Sequence, residues 1–460
     1  MSLDKLLGID IGTQGARLLL TDSKGVVIRE INKDFDFENG RIEQDPNIWW
    51  KSTLSCLKEI REDCIGLKSI SVTSTSGTII PLGNDNNPLH DALMYSDTRS
   101  SVESKEIEEI LGVNVKPSYS LSKMLWFKKN YPQKYREVRK WVHATDFIIG
   151  KLTGIYSITD YTNALKSGFD VSELKWININ KIGLDVNHLP KVVAPGSLVS
   201  NISTELSELL RLDKNIQIVA GLTDGCASQF ASGACEIGQW SSTIGTTLVL
   251  KGVSEKLIQN EVFYSHKHPD GYYLPGGASN MGGDWISKWY TKDELMNLNK
   301  YANQEYPSEK FIYPLLIKGE RFPFQCEEAY LIDDKYLNDK QRYLAGLEAV
   351  GYIEKMAFDS IEKITESDIE QVFVAGGGTK SEAWLQIRSS ILNKQLIVTE
   401  NPNAAFGAVL IAASQTLYNS LSEAKNNMIH INKIIKPDDS NTQYKKLFKK
   451  YKEWLRLNLN

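Results

Sequence analysis

The chain has 460 residues, 42% hydrophobic and 24% charged, which is enough apolar material for sizeable cores and excludes a disordered or fibrous protein. Its 53 basic and 57 acidic side chains give a formal charge of −4, without the basic excess of a nucleic-acid binder. Five cysteines without a CxxC pair argue against a disulfide framework and a structural zinc site, and no apolar run spans a bilayer. We expect a soluble, cytoplasmic, multi-domain enzyme that binds neither nucleic acid nor membrane.

The N-terminal stretch predicts a β-meander, that is, three strands joined by tight turns. Short apolar runs, separated by turn signals, lie at residues 6–11, 16–21 and 26–31. A helix is predicted to begin at Pro46, because Asp45 is a favoured N-cap and Pro fits the first helical position. A second meander is predicted over 238–252, and the repetition of this unit hints at a duplicated architecture.

The rest of the chain alternates strand patterns with helix patterns, as in an α/β protein. Short β-branched runs predict buried strands at residues 69–73, 216–220 and 371–375. Apolar residues at helical spacing predict helices at residues 120–130, 144–152, 344–357, 382–392 and, with a lysine-rich second face, 444–455. No low-complexity linker is present, so the domain break is predicted in ordered chain between Gly225 and Gly252.

The first candidate site is residues 10–15, Asp-Ile-Gly-Thr-Gln-Gly, where an acid at a strand end is followed by a Gly-Thr corner. Glycines let backbone N–H groups approach a phosphate, and the Thr13 hydroxyl adds a donor. The acid, Asp10, is placed to hold a hydrated Mg²⁺. An ordinary hairpin with a half-buried aspartate explains the same residues equally well.

The second candidate is Asp224, in the segment 221–225, Gly-Leu-Thr-Asp-Gly, after the strand predicted at 216–220. An acid at the carboxyl end of a buried strand stands where open α/β sheets bind their ligands. Aspartate before a helix is also a favoured N-cap for purely structural reasons. Taken alone, the N-cap interpretation of Asp224 is the stronger one.

The third candidate is the run of glycines at 376–378, between the strand predicted at 371–375 and the helix predicted at 382–392. Such a run allows a nucleobase or a phosphate to lie against the backbone near a helix N-terminus. The spacings GxxxxGK[ST] and GxGxxG are both absent, which disfavours a P-loop or a Rossmann site. A tight strand-to-helix turn is the alternative, but such a turn seldom needs three glycines.

Together and in this order, the motifs resemble those of the FGGY family of carbohydrate kinases over nearly the whole chain. Further matching segments are 43–46 (Glu-Gln-Asp-Pro) with Trp49 and Trp50, 95–99 (Tyr-Ser-Asp-Thr-Arg), 152–154 (Leu-Thr-Gly), 159–164 (Thr-Asp-Tyr-Thr-Asn-Ala), 384–386 (Trp-Leu-Gln) and 404–408 (Ala-Ala-Phe-Gly-Ala). Within the family, the chain most resembles the plant and cyanobacterial D-ribulokinase-like (xylulokinase-like) group, through segments 75–78, 163–168, 264–267, 276–280 and 318–323.

Three positions depart from family patterns. Ordinary xylulokinases carry a longer Gln-Met-His-Gly element where this chain has Thr-Ser-Gly at 75–77, which ranks D-xylulose behind D-ribulose. Gln14 stands where the ribulokinase-like relatives usually have Ser. Asn403 stands near where many members place an acid, and we carry no role onto it.

The resemblance implies an α/β fold of two actin-like, ribonuclease H-like lobes, each a mixed β-sheet with flanking helices, with the active-site cleft between them. The N-terminal lobe, 1–227, would hold the sugar, Mg²⁺ and phosphate side, and the C-terminal lobe, 228–460, the nucleotide. We leave open whether the C-terminal helices pack back on the first lobe. The implied activity is ATP-dependent phosphorylation of a pentulose, with D-ribulose to D-ribulose 5-phosphate first and D-xylulose or another ketose or polyol as the alternative, by a monomer or homodimer.

The resemblance also implies a role for each candidate residue. Asp224 would be the catalytic base, and Asp10 would organise Mg²⁺. The sugar would be bound by Asp10, Gln14, Gly15, Ser76, Gly77 and Asp224. ATP would be bound by Gly12, Thr13, Gly245, Thr246, Thr247, Gly376, Gly377, Gly378 and Thr379.

Two other classes of protein remain as alternatives. One is an actin-like ATPase or sugar-binding protein without phosphotransfer, which would not need an acid at Asp224. The other is a glycoside hydrolase that uses Asp10 and Asp224 as its carboxylate pair. A hydrolase leaves both Gly-Thr corners and the triple glycine unexplained.

Overall fold

The computed structural model describes residues 4–36 and 42–459. The chain folds into two compact units, each with an interrupted sequence. Unit 1 consists of Met1–Ala231, His266–Gly271 and Asn403–Ile429, and unit 2 consists of Ser232–Ser265, Tyr272–Pro402 and His430–Asn460. Each unit is built on a mixed β-sheet with flanking helices, as predicted.

The strands are β1 (Lys5–Ile11), β2 (Gly15–Asp22), β3 (Val27–Asp34), β4 (Glu43–Gln44), β5 (Leu67–Ser74), β6 (Ile79–Leu82), β7 (Ala92–Leu93), β8 (Lys140–His143), β9 (Ile158–Asp160), β10 (Phe169–Asp170), β11 (Lys175–Trp176), β12 (Lys191–Val193), β13 (Leu198–Asn201), β14 (Gln217–Val219), β15 (Leu222–Thr223), β16 (Trp240–Ile244), β17 (Leu248–Gly252), β18 (Tyr264–Lys267), β19 (Tyr273–Ser279), β20 (Gln371–Ala375), β21 (Gln395–Thr399) and β22 (Ile431–Ile435). The helices are α1 (Pro46–Ile60), α2 (Ser101–Leu111), α3 (Ser120–Asn130), α4 (Pro132–Glu137), α5 (Ala144–Thr153), α6 (Tyr161–Ala164), α7 (Thr204–Leu210), α8 (Asp224–Ser232), α9 (Asp284–Trp289), α10 (Lys292–Glu305), α11 (Asp339–Thr365), α12 (Glu382–Leu392), α13 (Ala404–Ala413), α14 (Leu421–Met428) and α15 (Asn441–Leu459).

The sheet of unit 1 brings the carboxyl ends of three parallel strands to one edge. Strands β1, β2 and β3 form the predicted antiparallel meander, and β5 lies parallel to β1 on its other side. Thr73 of β5 pairs with Asp10 of β1 and, on the opposite side, with Leu222 of β15. Because Asp224 follows β15 directly, both candidate acids stand at this edge of the sheet.

Helix α13 packs directly on β1 and on α8, the two elements that carry these acids. All ten of its residues are buried, as expected for a helix that is apolar on every side. A Cβ on Gly8 of β1 would stand 2.0 Å from the Ala405 carbonyl oxygen, and a Cβ on Gly407 would stand 2.0 Å from that of Ala227. Glycine is therefore required at both contacts. Asn403 is the N-cap of α13, since its Oδ1 accepts the Phe406 N–H at 2.9 Å.

The sheet of unit 2 repeats this pairing pattern. Strands β16, β17 and β19 form an antiparallel meander, which confirms the second meander of the prediction. Strand β20 lies parallel to β16, as β5 lies parallel to β1, and β21 lies parallel to β20. The same order of a meander and a following parallel strand supports the predicted duplication.

The C-terminal helix α15 buries the apolar stripe predicted for it. Tyr444, Leu447, Phe448, Tyr451 and Leu455 are buried. The lysines of its other face are exposed to solvent. Of the helices in the described part of the chain, none is both long and apolar enough to cross a membrane.

Candidate active site

The corner at residues 12–15 of unit 1 is held by hydrogen bonds from three directions. The Gly12 N–H donates to the Gly15 carbonyl at 3.0 Å, and the Phe35 N–H donates to the Gln14 carbonyl at 2.7 Å. The Gln44 side-chain amide donates to the Thr13 carbonyl at 3.0 Å. The corner is therefore a fixed loop whose shape depends on a distant glutamine.

Gln44 is in turn fixed by Trp49, a residue that packing alone does not explain. The Trp49 indole N–H donates to Gln44 Oε1 at 2.9 Å, and both side chains are buried. The segment that matched a family motif at 43–50 thus buttresses the Thr13 corner. This supporting role of segment 43–50 was not evident from the sequence, because Gln44 and Thr13 are 31 residues apart.

The two acids interact electrostatically at the sheet edge. Burial and, after it, the negative charge of Asp224 raise the pKa of Asp10 from 3.8 to about 7, against the opposing effect of Arg17. The Asp224 carboxylate also accepts the N–H of Gly225 at 2.7 Å, at the start of α8. Asp224 thus opens a helix, as the structural interpretation expects, and faces a second carboxylate, as the functional interpretation expects.

Arg17 is a residue of this site that the sequence analysis missed. It pairs with Asp10 across the β1–β2 hairpin, and its guanidinium contacts Glu30 at 3.4 Å and Asn32 at 2.7 Å. A cavity of about 900 Å³ in unit 1 is lined by Asp10, Arg17 and the corner between them, including the exposed Gln14. The register of a hairpin with its corner at 12–15 places residue 17 opposite residue 10, so this signal was available.

The donors at this edge fit Mg²⁺. Two neighbouring carboxylates, Asp10 and Asp224, offer oxygen ligands and excess negative charge. Mg²⁺ commonly binds one or two carboxylates and completes its shell with water and phosphate oxygens. Within residues 4–36 and 42–459, no group of three or more His, Cys, Asp or Glu side chains is placed so that it could hold a metal ion.

The corner that follows β5 carries the predicted sugar-binding residues Ser76 and Gly77. Ser76 Oγ is buried and has no hydrogen-bond partner among the described residues. Lys166 donates to the Ser76 carbonyl at 3.2 Å, and Lys123 donates to the Gly77 carbonyl at 2.5 Å. A buried hydroxyl without a hydrogen-bond partner costs free energy, and a hydrogen bond to a ligand would remove that cost.

Lys123 lies wholly inside unit 1, where its ammonium also donates to the Leu93 and Met94 carbonyls at 3.3 and 2.7 Å. Burial lowers its pKa to about 7, with the charges of Lys166 and Arg99 in the same direction and Asp97 opposed. The sequence analysis missed this role, although a lysine on the apolar face of the predicted helix 120–130 was the available signal.

We expect the Lys123→Met variant to lose a pH-dependent contribution to stability. Between pH 7 and 10 the unfolded lysine holds a proton that the folded one has released, so the free energy of unfolding rises with pH. One such proton gives at most about 1.4 kcal/mol per pH unit. Urea unfolding at pH 7, 8 and 9 should show this gain in wild type and not in Lys123→Met.

The matched control is Lys128→Met on the same helix, whose ammonium also donates to a carbonyl, that of Gly183, but from an exposed position. The Lys128→Met substitution should change the free energy of unfolding, relative to wild type, by the same amount at each pH. A difference between wild type and Lys123→Met that stays constant with pH would contradict the assignment.

In unit 2 two loops turn at the same end of neighbouring parallel strands. Thr243 of β16 pairs with Ala375 of β20, and the corner Gly245-Thr246-Thr247 and the glycine run at 376–378 follow directly. The Thr379 hydroxyl donates back to the Gly376 carbonyl at 2.9 Å. A cavity of about 660 Å³, in the usual range for small-molecule sites, opens here. Its lining includes Gly245, Thr246, Gly377 and Gly378 with the apolar side chains of Ile244, Tyr290, Leu295 and Trp384.

Not every glycine of these loops is required by the protein itself. Gly376 has φ +85° and ψ −173°, and a Cβ there would stand 2.4 Å from the Ile244 carbonyl oxygen. A Cβ on Gly377 would come no nearer than 3.9 Å to that oxygen, and one on Gly245 would meet no described atom within 4 Å. The backbone at Gly245 and Gly377 is therefore bare toward open space, as a closely approaching ligand would need.

The predicted site residues thus form two groups, one in each unit. Unit 1 brings together Asp10, Gly12, Thr13, Gln14 and Gly15, with Asp224 at the same edge and Ser76 and Gly77 after the strand between them. Unit 2 brings together Gly245, Thr246, Thr247, Gly376, Gly377, Gly378 and Thr379. The roles given to them stay predictions at this point.

Comparison with known proteins gives a consistent result along the chain. Residues 5–231 match the N-terminal domain, and residues 240–416 the C-terminal domain, of the FGGY family of carbohydrate kinases. The xylulose kinase of Staphylococcus xylosus is 25% identical over 97% of this chain and 99% of its own length. The gluconokinase of Bacillus licheniformis is 22% identical over 89% of this chain and 87% of its own.

Solved structures agree on the fold. The gluconate kinase from Lactobacillus acidophilus superposes with a TM-score of 0.88 at 21% identity, over 100% of this chain and 99% of its own. The ligand-bound xylulose kinase from the same organism superposes with a TM-score of 0.87 at 21% identity, over 99% of this chain and 98% of its own. These likenesses confirm the predicted α/β fold of two actin-like lobes.

Proposed function

This chain belongs to the FGGY family of carbohydrate kinases, and we propose that it transfers the γ-phosphoryl group of ATP to a hydroxyl of a pentulose. The observation that carries the proposal is the electrostatic contact between Asp10 and Asp224 beside the Gly-Thr corner. An acid beside a phosphate-binding corner is what a kinase needs and what a sugar-binding protein without phosphotransfer lacks.

Asp224 is the proposed catalytic base. The attacking sugar oxygen forms a bond to the γ-phosphorus while the bond from phosphorus to the bridging oxygen breaks, and ADP leaves with that oxygen. The proton of the sugar hydroxyl passes to the Asp224 carboxylate. Phosphoryl transfer depends mainly on in-line positioning and charge neutralisation, and a positioned base adds about 10²–10⁴-fold.

Asp10 is the proposed Mg²⁺ ligand, through water or directly, with Asp224 beside it. The cation would neutralise charge on the β- and γ-phosphate oxygens. The assignment of Mg²⁺ to this place is supported by the two neighbouring carboxylates and by the corner of Gly12 and Thr13 next to them. Removal of divalent cations is therefore expected to abolish turnover.

Each group of residues has a proposed ligand. In 1–227, the unpaired Ser76 hydroxyl, Gly77, Gln14 and Gly15 would read the sugar together with Asp10 and Asp224. In 228–460, the bare backbone at Gly245 and Gly377 and the apolar cavity wall beside it support a nucleotide site. Thr246, Thr247, Gly376, Gly378 and Thr379 would complete that site.

We place D-ribulose first as the substrate, with D-ribulose 5-phosphate as product, and D-xylulose second. The short Thr-Ser-Gly corner at 75–77 supports D-ribulose, since it differs from the longer element of ordinary xylulokinases. The name of the relative from Staphylococcus xylosus, xylulose kinase, supports D-xylulose. The two sugars differ only in configuration at C3, so contacts to that hydroxyl decide between them.

A substrate screen tests the proposal. Purified protein is incubated with Mg²⁺, ATP and D-ribulose, D-xylulose, D-gluconate or glycerol, and ADP release is followed in a coupled assay. We expect sugar-dependent ADP formation with kcat/KM for D-ribulose at least about tenfold above that for D-xylulose, a difference of about 1.4 kcal/mol in transition-state binding.

Other outcomes separate the alternatives. ADP release at the same rate without any sugar would favour an ATPase without phosphotransfer. Faster turnover of D-xylulose than of D-ribulose would keep the kinase and reverse the order of substrates. Thermal stabilisation by a pentulose with no ADP release at all would favour a sugar-binding protein.

A further inference from the structure

The short strand before Asp224 is tied down by a side chain that the proposed mechanism does not use. We propose that Thr162 is a positioning residue, which fixes the backbone at Thr223 and thereby the direction of the Asp224 carboxylate. The inference rests on the proposed kinase function, because it concerns the base of that reaction.

The donor and the acceptor in each hydrogen bond of the Thr162 hydroxyl are unambiguous. Its hydroxyl donates to Asp160 Oδ1 at 2.6 Å and accepts the Thr223 N–H at 2.8 Å. Asp160 Oδ1 also accepts the backbone N–H groups of Thr162 and Asn163, at 2.7 and 3.2 Å, which fixes it as an acceptor. A hydroxyl has a single proton, so with that proton committed to Asp160 its lone pair is left for Thr223.

This bond matters because β15 is only two residues long. The strand consists of Leu222 and Thr223, and it pairs with β5 through Thr73 and Ser74. The Thr162 hydroxyl accepts the Thr223 N–H, so the strand is attached to α6 as well as to β5. Release of one of them lets the following residue, Asp224, shift.

Helix capping alone does not account for this arrangement. Asp160 is the N-cap of α6, and the cap needs only its bonds to the backbone of Thr162 and Asn163. The bond from the Thr223 N–H to the Thr162 hydroxyl joins residues 61 positions apart and adds nothing to the cap. All three partners, Asp160, Thr162 and Thr223, are almost completely buried, so water does not replace the bond.

The test compares Thr162→Val, which keeps the shape and removes the hydroxyl, with Thr162→Ser, which keeps the hydroxyl. We expect the valine variant to lose about tenfold to a hundredfold in kcat for the pentulose, because displacements near 1 Å cost that much. The KM for ATP should stay within about twofold of wild type, since most of the residues proposed to bind ATP lie in unit 2. Serine should restore kcat to within about threefold of wild type.

A matched control is Thr153→Val at the end of α5. The Thr153 hydroxyl also donates one hydrogen bond, to the Ile149 carbonyl at 2.8 Å, and also accepts a backbone N–H, that of Ile155 at 3.0 Å. Its loss should lower the melting temperature without a change in kcat. Should the valine at 162 prevent folding, Thr162→Cys, with a thiol that is a weak hydrogen-bonding group, should give an intermediate loss of kcat.

Defined results would overturn the inference. Wild-type kcat in Thr162→Val or Thr162→Cys, with only a lower melting temperature, would leave Thr162 a structural residue. A serine variant as slow as the valine variant would show that the hydroxyl is not responsible. Failure of the proposed function gives a different result, because neither the wild-type protein nor Thr153→Val would then phosphorylate any sugar. That result would overturn both proposals.

Discussion

Asp224→Asn is expected to lower kcat for pentulose phosphorylation by about 10²–10⁴-fold while the fold and ATP binding are kept. The amide matches the carboxylate in size and its oxygen still accepts the Gly225 N–H, so the start of α8 is unchanged. It does not accept the proton of the sugar hydroxyl. Coupled ADP release measures the loss, and thermal stabilisation by ATP measures the retained nucleotide binding.

The matched control is Asp213→Asn, an exposed aspartate of the same unit. Asp213 accepts the Asn215 N–H at 2.9 Å in a turn, a bond that an asparagine oxygen also makes. Its kcat should equal that of wild type. If Asp224→Asn turned over at the wild-type rate, the base would be assigned wrongly, and Asp10 would be the next carboxylate to test.

The second large effect is expected at the glycine run of unit 2, where neighbouring glycines should respond differently. In Gly376→Ala the new methyl group meets the Ile244 carbonyl oxygen, and the backbone conformation is one that only glycine adopts readily. Such strain costs about 1–3 kcal/mol before the collision is counted. We expect thermal unfolding at least about 4 °C below wild type.

Gly377→Ala is the matched substitution one residue later. Its methyl group comes no nearer than 3.9 Å to the Ile244 carbonyl oxygen, so the melting temperature should change little. The methyl group instead projects where the proposed nucleotide lies, and the KM for ATP should rise about tenfold. Equal melting temperatures for the two variants would contradict the strain argument, and an unchanged KM for ATP in Gly377→Ala would remove this loop from the nucleotide site.

Local signals were sufficient for many elements of the fold. The strand at 371–375 and the helices at 120–130 and 382–392 have the predicted bounds. Helix α11 was predicted over 344–357 but spans Asp339–Thr365. Its first turn is polar and shows no apolar periodicity, yet Asn338 and Gln341 form a capping box there. Its end is set by Glu366 in a left-handed conformation, which hydrophobic spacing does not reveal.

The residues of the candidate site that the sequence analysis identified stand at a strand end or in or beside a glycine corner. Asp10, Asp224 and the two Gly-Thr corners meet that condition. Lys123 and Thr162 do not, because each works on the backbone of a residue 46 or 61 positions away. Such pairings depend on the tertiary arrangement of several elements. The position of Lys123 on an apolar helix face indicates its burial, but it does not identify the carbonyls to which the lysine donates.

The burial of α13 against β1 and α8 has a consequence for biosynthesis. Helix α13, which covers strand β1, follows residue 402 in the sequence and therefore comes after most of unit 2. When translation has reached residue 400, the helix that packs on Gly8 has therefore not yet been made. The interior of unit 1 therefore stays incomplete until most of unit 2 has also been translated.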